Sequence, residues 1–366
     1  MTPFPWYAAM RAQAPVVFNP DTMGWQLFRY ADVQRVLSDY EYFTSRMSGP
    51  GDGALASSLI GMDPPRHRQL RALVTQAFTP RAVDNLAPRI QAITDDLLDR
   101  VESKGQLDVV ADLAIPLPVI VIAELLGIPS EDRQQFKEWS DEITSSFSEG
   151  QGQREMAAYF MRIVERRRVE PGDDLVSALM RAEIEGQRLT LPELLGFCVL
   201  LLVAGNETTT NLIGNALLCF DEHPGTLDEL KATPDLLPNA IEEVLRFSSP
   251  VQCMFRTVAR ETTLGGQRVR AGESVLAWIG SANRDEEVFS DADRFDIRRT
   301  PNKHIAFGHG VHFCLGAPLA RLEARIALNA VIRRLSNLLL ARNAVLEPQE
   351  SFIVYGVKSL PMTFDV

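Results

Sequence analysis

Apolar positions crowd most densely between Leu194 and Gly205, where Leu, Phe, Cys, Val and Ala follow one another with only glycine between them. Upstream, Thr190-Leu191-Pro192-Glu193 reads as a capping box with proline in the first turn. Apolar residues resume after a short polar break, so the pattern predicts one helix to about Phe220, about 30 residues and about 45 Å long. Such a helix is the spine of a single domain. The unbroken run itself is shorter than the roughly 20 residues that a bilayer crossing needs.

Elsewhere the pattern alternates between periods. A short helix opens the chain. Val16-Val17-Phe18 and Trp25-Gln26-Leu27-Phe28 flank the turn residues Asn19-Pro20-Asp21 and predict a hairpin. Ala31 to Leu37 is weakly helical, and Met47 to Gly53 is loop-like by composition. Two helices between Leu86 and Gly127 are separated by Gln106 to Val109, the second buried and irregular at its start because of Pro116 and Pro118. Amphipathic helices are expected over Glu131 to Phe147 and Met156 to Arg168, joined by the glycine-rich segment 148–153. Ser249 to Arg256 reads as a strand, and Ser351 to Gly356 as a strand and turn.

Composition narrows the function classes. The 366 residues are 46% hydrophobic and 23% charged, with a net charge of -11 that argues against nucleic-acid binding. Cys198, Cys219, Cys253 and Cys314 are far apart, which indicates neither a disulfide framework nor a zinc site and suits a reducing cytoplasm. The N-terminus lacks the basic flank and apolar core of a signal peptide, so no membrane association is expected.

The segment Phe307-Gly308-His309-Gly310-Val311-His312-Phe313-Cys314-Leu315-Gly316 carries the most specific chemistry. Gly308 and Gly310 permit turns that a β-carbon would obstruct. Pro318 suits a first helical turn, and Leu319, Leu322, Ile326 and Ala330 recur at helical spacing. Cys314 therefore stands just before a helix N-terminus, where the dipole favours a thiolate that could ligate iron.

This loop resembles the haem-thiolate motif of the cytochrome P-450 superfamily, Phe-Gly-x-Gly-x-His-x-Cys-x-Gly, at every specified position. The resemblance implies haem b (iron protoporphyrin IX), with Cys314 as its axial metal ligand, Phe307 and Gly316 against the haem and His312 on a propionate. Asp63-Pro64-Pro65-Arg66-His67-Arg68-Gln69-Leu70-Arg71 resembles the family segment whose histidine and arginine bind propionates, which gives those roles to His67 and Arg71. Arg256 matches a third propionate ligand. Ala204-Gly205-Asn206-Glu207-Thr208 resembles the oxygen-activation motif. It places Ala204 beside the haem, gives Gly205 a local helix widening for dioxygen, and makes Glu207 and Thr208 an acid–alcohol pair that relays protons. Glu243, Arg246 and Arg294 resemble the family's buried structural ion network.

By the same resemblance the fold is mainly α with a small β-region, a triangular helical prism around the haem with a long central helix, forming one domain over residues 1–366. The resemblance extends in order over nearly the whole chain, and the runs 204–213 and 314–327 are similar to short, heat-stable archaeal members. The implied activity is monooxygenation by a cytoplasmic, monomeric enzyme. It would use dioxygen, an apolar small-molecule substrate, and electrons from a separate ferredoxin or flavodoxin and its reductase. A peroxide-driven peroxygenase and a non-catalytic haem sensor are the other readings. Val203, Val251, Gln252, Cys253, Met254, Ile353 and Val354 are expected to line the substrate pocket. Arg66, Arg68, Arg321 and Arg325 are expected to form a basic docking face for the electron donor.

Overall fold

The structure is a computed structural model that describes residues 2–46, 53–132, 134–136, 138–139 and 151–366. The loop expected at 47–53 lies almost wholly outside the described residues, as does most of the helix expected over 131–147; of the joint expected at 148–153, residues 148–150 lie outside them and 151–153 are already helical, in Gln151–Val169. Two compact units emerge, each assembled from separated stretches of chain: Met1–Thr44, Gln91–Ile115 and Thr208–Val366 in the first, Ser45–Ile90 and Pro116–Glu207 in the second.

The first unit holds the β-structure. Strands β1 (Val16–Asn19) and β2 (Gly24–Leu27) form the expected hairpin, with Phe18 opposite Trp25. β3 (Phe43–Thr44), β5 (Cys253–Val258) and β8 (Ser274–Trp278) complete a five-stranded sheet in the order β1-β2-β8-β5-β3. The second sheet joins β4 (Gln106–Asp108) to β10 (Pro361–Asp365) and β9 (Ser336–Leu340), and β6 (Thr262–Leu264) pairs with β7 (Gln267–Val269).

Because successive strand residues point to opposite faces, β8 contributes to two cores at once. Val275 and Ala277 join a cluster with Leu27, Phe43 and Ile305, whereas Leu276 and Trp278 join Tyr7, Phe28 and Cys253. The segment expected as a strand at Ser351 to Gly356 forms only an isolated bridge, Val251 to Val354. The apolar stretch after β4 begins with a π-helical turn, Val109–Ala114, before the helix Pro116–Leu125. That is the irregular, buried start the two prolines predict, since Pro118 has no N–H to complete an α-helical ladder.

The second unit is built on the helices Arg66–Ala77, Pro116–Leu125, Gln151–Val169 and Leu175–Arg181. The long helix Leu191–Glu222 is a single 32-residue element that contributes its first half here and its second half to the first unit. Its capping box forms as the sequence predicts. Glu193 Oε2 accepts from Thr190 N at 2.8 Å and from Thr190 Oγ1 at 2.9 Å. This helix has the length and hydropathy to cross a membrane, but over half of its most apolar window is buried inside the protein, as in a core helix.

Candidate active site

The cysteine loop is held by its own backbone. Cys314 N donates to Phe307 O at 2.8 Å, Gly308 N to Ile305 O at 2.9 Å and Phe313 N to Gly310 O at 3.1 Å, which closes the turn around the sulfur. Gly308 and Gly310 adopt φ of +75° and +71°, a region costly for side-chain-bearing residues. A β-carbon on Gly310 would also lie 2.8 Å from Ser38 Cα, so glycine is required there twice over. Gly316 then caps the helix Ala317–Arg334, with Pro318 in its first turn and Leu319, Leu322, Ile326 and Ala330 buried.

The other three cysteines are fully covered, and burial pushes the Cys198 and Cys219 thiols up to about 12 and raises that of Cys253 as well. Cys314 is exposed. A β-carbon on Gly316 would have the Cys314 sulfur as its nearest neighbour, at 3.9 Å, so the glycine leaves room beside the thiol. One accessible sulfur on a rigid turn next to a bare glycine fits a planar macrocycle with a single axial thiolate.

The remaining candidates divide between the units. His67, buried, and Arg71, half-buried, share the face of Arg66–Ala77 in the second unit. In the first unit, Arg256 is 7% exposed and donates to its own neighbour's carbonyl, Phe255 O, at 2.7 Å, while His312 sits in a 3₁₀ turn of the cysteine loop. Cationic or donor side chains of this kind suit two propionates, and arginine's planar fork matches a carboxylate. Val203, Val251 and Met254 are half-buried and Val354 is buried opposite Val251.

Along the long helix, the exposed residue in an otherwise covered middle stretch is Ala204, with Glu207 and Thr208 half-buried. Thr210 is committed elsewhere, donating to Ala114 O at 2.8 Å, so it is set apart from Thr208 as a structural threonine. Gly205 corrects the sequence expectation. The helix is continuous there, without widening, and a β-carbon at Gly205 would meet Ile122 Cδ1 at 2.2 Å. Its bare face serves close packing against Pro116–Leu125.

Several other expectations need correction. Gln252 is no pocket residue: it is 2% exposed, accepts from the Tyr7 hydroxyl at 2.8 Å and donates to Ser249 O at 2.6 Å. Cys253 and Ile353 pack with Tyr7 and Trp278, whereas Val251 and Met254 pack on the other cluster. Alternation along β5 separates Cys253 from Met254, whereas Val251 lies before the strand and joins Met254 on its cluster.

In the ion network Arg294 contributes only its carbonyl, accepting from Arg246 Nη2 at 3.0 Å. Besides Arg246, the arginine that reaches Glu243 is Arg299, at 3.2 Å to both oxygens. Of the expected docking arginines, Arg66 is locked bidentate onto Glu193 at 2.6 Å and Arg321 onto Glu242 at 2.7 Å. Arg321 also lies over the Phe307 ring, 4.5 Å from its centre. Arg68 and Arg325 are exposed.

A family model described as cytochrome P450 matches residues 233–364, which include the ion network and the cysteine loop. The chain is 44% identical over 374 residues to cytochrome P450 109 of Bacillus spizizenii, covering 98% of this chain and 91% of the relative. It is 44% identical over 351 residues to the cyclomarin C epoxidase CymV of Salinispora arenicola, covering 91% and 89%. The crystal structure of CYP109E1 from Bacillus megaterium in complex with testosterone superposes with a TM-score of 0.93 at 46% identity, over the full length of both chains. The cysteine loop and these relationships, which span nearly the whole chain, make it a member of the cytochrome P450 family, a monooxygenase that binds haem b.

Proposed function

We propose that the protein inserts one atom of dioxygen into a C–H or C=C bond of an apolar small molecule, in the cytoplasm and as a monomer of one functional domain over residues 1–366. Its electrons come from a separate ferredoxin or flavodoxin and its reductase. The observation that carries this reading is the contrast among the cysteines, three covered thiols against one accessible sulfur on a closed turn.

The haem, when bound, supplies the activation of dioxygen. The chain's own residues do the rest. Cys314 holds the iron, and His67, Arg71, Arg256 and His312 neutralise the propionates and orient the ring. Thr208 donates a hydrogen bond on the oxygen-binding side, and the Glu207 carboxylate passes it protons by exchanging between that side and water. Val203, Val251, Met254 and Val354 exclude water and select apolar ligands. A relative named as a cyclomarin C epoxidase and a solved relative in complex with testosterone support a bulky apolar substrate class. The intact Glu207–Thr208 pair favours dioxygen over peroxide as co-substrate.

The test is a coupling measurement. Thr208→Ala should keep the haem spectra, ligand affinity and NAD(P)H consumption while product per electron falls sharply and hydrogen peroxide appears. Wild-type coupling in that variant would overturn the acid–alcohol assignment. Cys314→Ala should abolish the red-shifted Soret band of the thiolate-ligated carbonyl complex.

A further inference from the structure

The Phe307 ring is gripped from the helix that follows the cysteine loop. The Arg321 guanidinium, on Ala317–Arg334, lies over it at 4.5 Å from the ring centre. Glu242 of Leu237–Phe247 holds the same guanidinium from Nε to Oε1 and from Nη2 to Oε2, both at 2.7 Å. Glu242 Oε2 also accepts from His304 Nε2 at 3.0 Å, and His304 Nδ1 accepts in turn from Ala306 N at 3.3 Å. The His304 side chain is only 4% exposed, and both of its ring nitrogens are engaged inside the protein. Two helices and the coil that leads into the loop thus converge on one aromatic ring.

That ring belongs to the residue whose carbonyl accepts from Cys314 N at 2.8 Å. A pinned ring restrains the peptide that follows it, because side chain and carbonyl branch from one Cα. Gly308, next in the chain at φ +75°, has no side chain with which to hold that peptide from its other end. Arg321 supplies the missing restraint. Charge is the lesser part of its action, since Glu242 stands against the guanidinium and cancels most of its field at the loop. Geometry is the greater part: the planar fork matches the carboxylate while its face lies on the ring, and only arginine does both.

We propose that Arg321 is a positioning residue for the axial cysteine. By fixing the Phe307 ring it keeps the Phe307 carbonyl on the Cys314 N–H, and so keeps the turn closed around a sulfur that stays a thiolate. Glu242 and His304 act one step further back, by aiming the guanidinium. The proposal rests on the reading of Cys314 as the iron ligand. An open turn lets the sulfur leave the helix N-terminus that favours its charged form and take up a proton. A neutral thiol donates far less electron density to iron than a thiolate does.

The test is the Soret band of the ferrous carbonyl complex in purified holoenzyme, scored per haem so that haem loss does not count. The parent protein should show the red-shifted thiolate band, and its absence there would remove the iron-ligand reading itself. In Arg321→Gln the complex should divide between the red-shifted band and the unshifted band of a thiol. The unshifted share should grow several-fold faster than in the parent during incubation in mild urea. A fully red-shifted and equally durable band in that variant would overturn the proposal while leaving thiolate ligation intact. Phe307→Leu removes the ring through which the arginine acts, so adding Arg321→Gln to it should change the band no further. An Arg321→Gln effect of the same size in both backgrounds would mean a field acting through space, and would also overturn the proposal.

Discussion

Glu242 and Glu243 are neighbours on the helix Leu237–Phe247, and each grips an arginine with both oxygens. Their settings differ. Glu243 is fully buried and accepts from Arg246 at 2.8 Å twice, from Arg299, from Asp296 N at 2.9 Å and from Asn302 Nδ2 at 3.1 Å. Arg246, equally buried, spends its other donors on the carbonyls of Asn283, Ala292 and Arg294. Glu242 is about a third exposed and holds Arg321 and His304 Nε2, the latter at 3.0 Å. One glutamate thus organises the long coil before the cysteine loop, and the other ties together the loop's two flanks. A charge deep in the protein is tolerable only when every lone pair is engaged, whereas a half-exposed one can rely on water for the remainder.

Breaking the inner pair should have the largest effect. Glu243→Ala strands Arg246 and Arg299 without their counter-charge, at a cost of about 3–5 kcal/mol. This is comparable with a domain's whole stability, so the variant should accumulate as unfolded or haem-free protein. Recovery of a normally stable, haem-loaded variant from expression would contradict the structural role.

A third carboxyl sharpens the lesson that partners matter more than depth. Glu323 is 1% exposed, one of its oxygens has no hydrogen-bond partner, and burial pushes its pKa up to about 8. The folded protein therefore holds this group neutral where the unfolded chain ionises it. Its stabilising protonation is fully present below about pH 4.5 and is lost as pH rises towards 8. Glu323→Gln, which keeps the shape without the charge, should raise stability progressively over that window, by as much as a few kcal/mol at about 1.4 kcal/mol per unit. Melting curves for the two proteins that stay parallel from pH 5 to 8.5 would show that a partner satisfies Glu323 as a carboxylate.

The same comparison explains what was legible in the sequence. The cysteine loop could be read residue by residue, because φ above zero at Gly308 and Gly310 and close approach at Gly310 leave the backbone few alternatives. The capping box of Leu191–Glu222 was equally local. Non-local partners were not. Arg299 and Asn302 reach Glu243 from a coil with no periodicity, and Glu193 claims Arg66 across 127 positions. The packing role of Gly205 is likewise not local, because its contact, Ile122, lies on another helix. At residues 251–254 the lining is not continuous either, because Cys253 and Met254 face opposite ways at the start of β5 and Val251 and Gln252 precede the strand.

The outer pair should break more gently. Burial opposes ionisation of Glu242, but hydrogen bonds from Arg321 and His304 outweigh it and hold the carboxyl down at about 2. Its contribution is complete above about pH 4.5 and disappears as pH falls towards 2. With both partners of the Arg321 pair about a third exposed, Glu242→Gln should cost only about 1 kcal/mol at neutral pH. The difference from the parent should shrink in acid. A loss as severe as that of Glu243→Ala would mean that the two glutamates belong to one cooperative network.

The smallest expected effect concerns electron delivery. With Arg321 neutralised by Glu242, the helix that follows the cysteine loop is less basic at its start than its arginines suggest, and Arg325 on the same helix is exposed. Glu242→Gln leaves the Arg321 guanidinium over Phe307 but removes its counter-charge, so one net positive charge is added beside the loop. An acidic ferredoxin should then reduce the holoenzyme somewhat faster at low salt. The advantage should fade as ionic strength approaches physiological values, where screening acts within about 8 Å. The control is Arg325→Glu, which should slow reduction and reverse the sign of that salt effect. If stopped-flow reduction rates of both variants follow the parent at every salt concentration, the donor does not sense this face, and the docking surface must lie where neither Arg321 nor Arg325 contributes to the field.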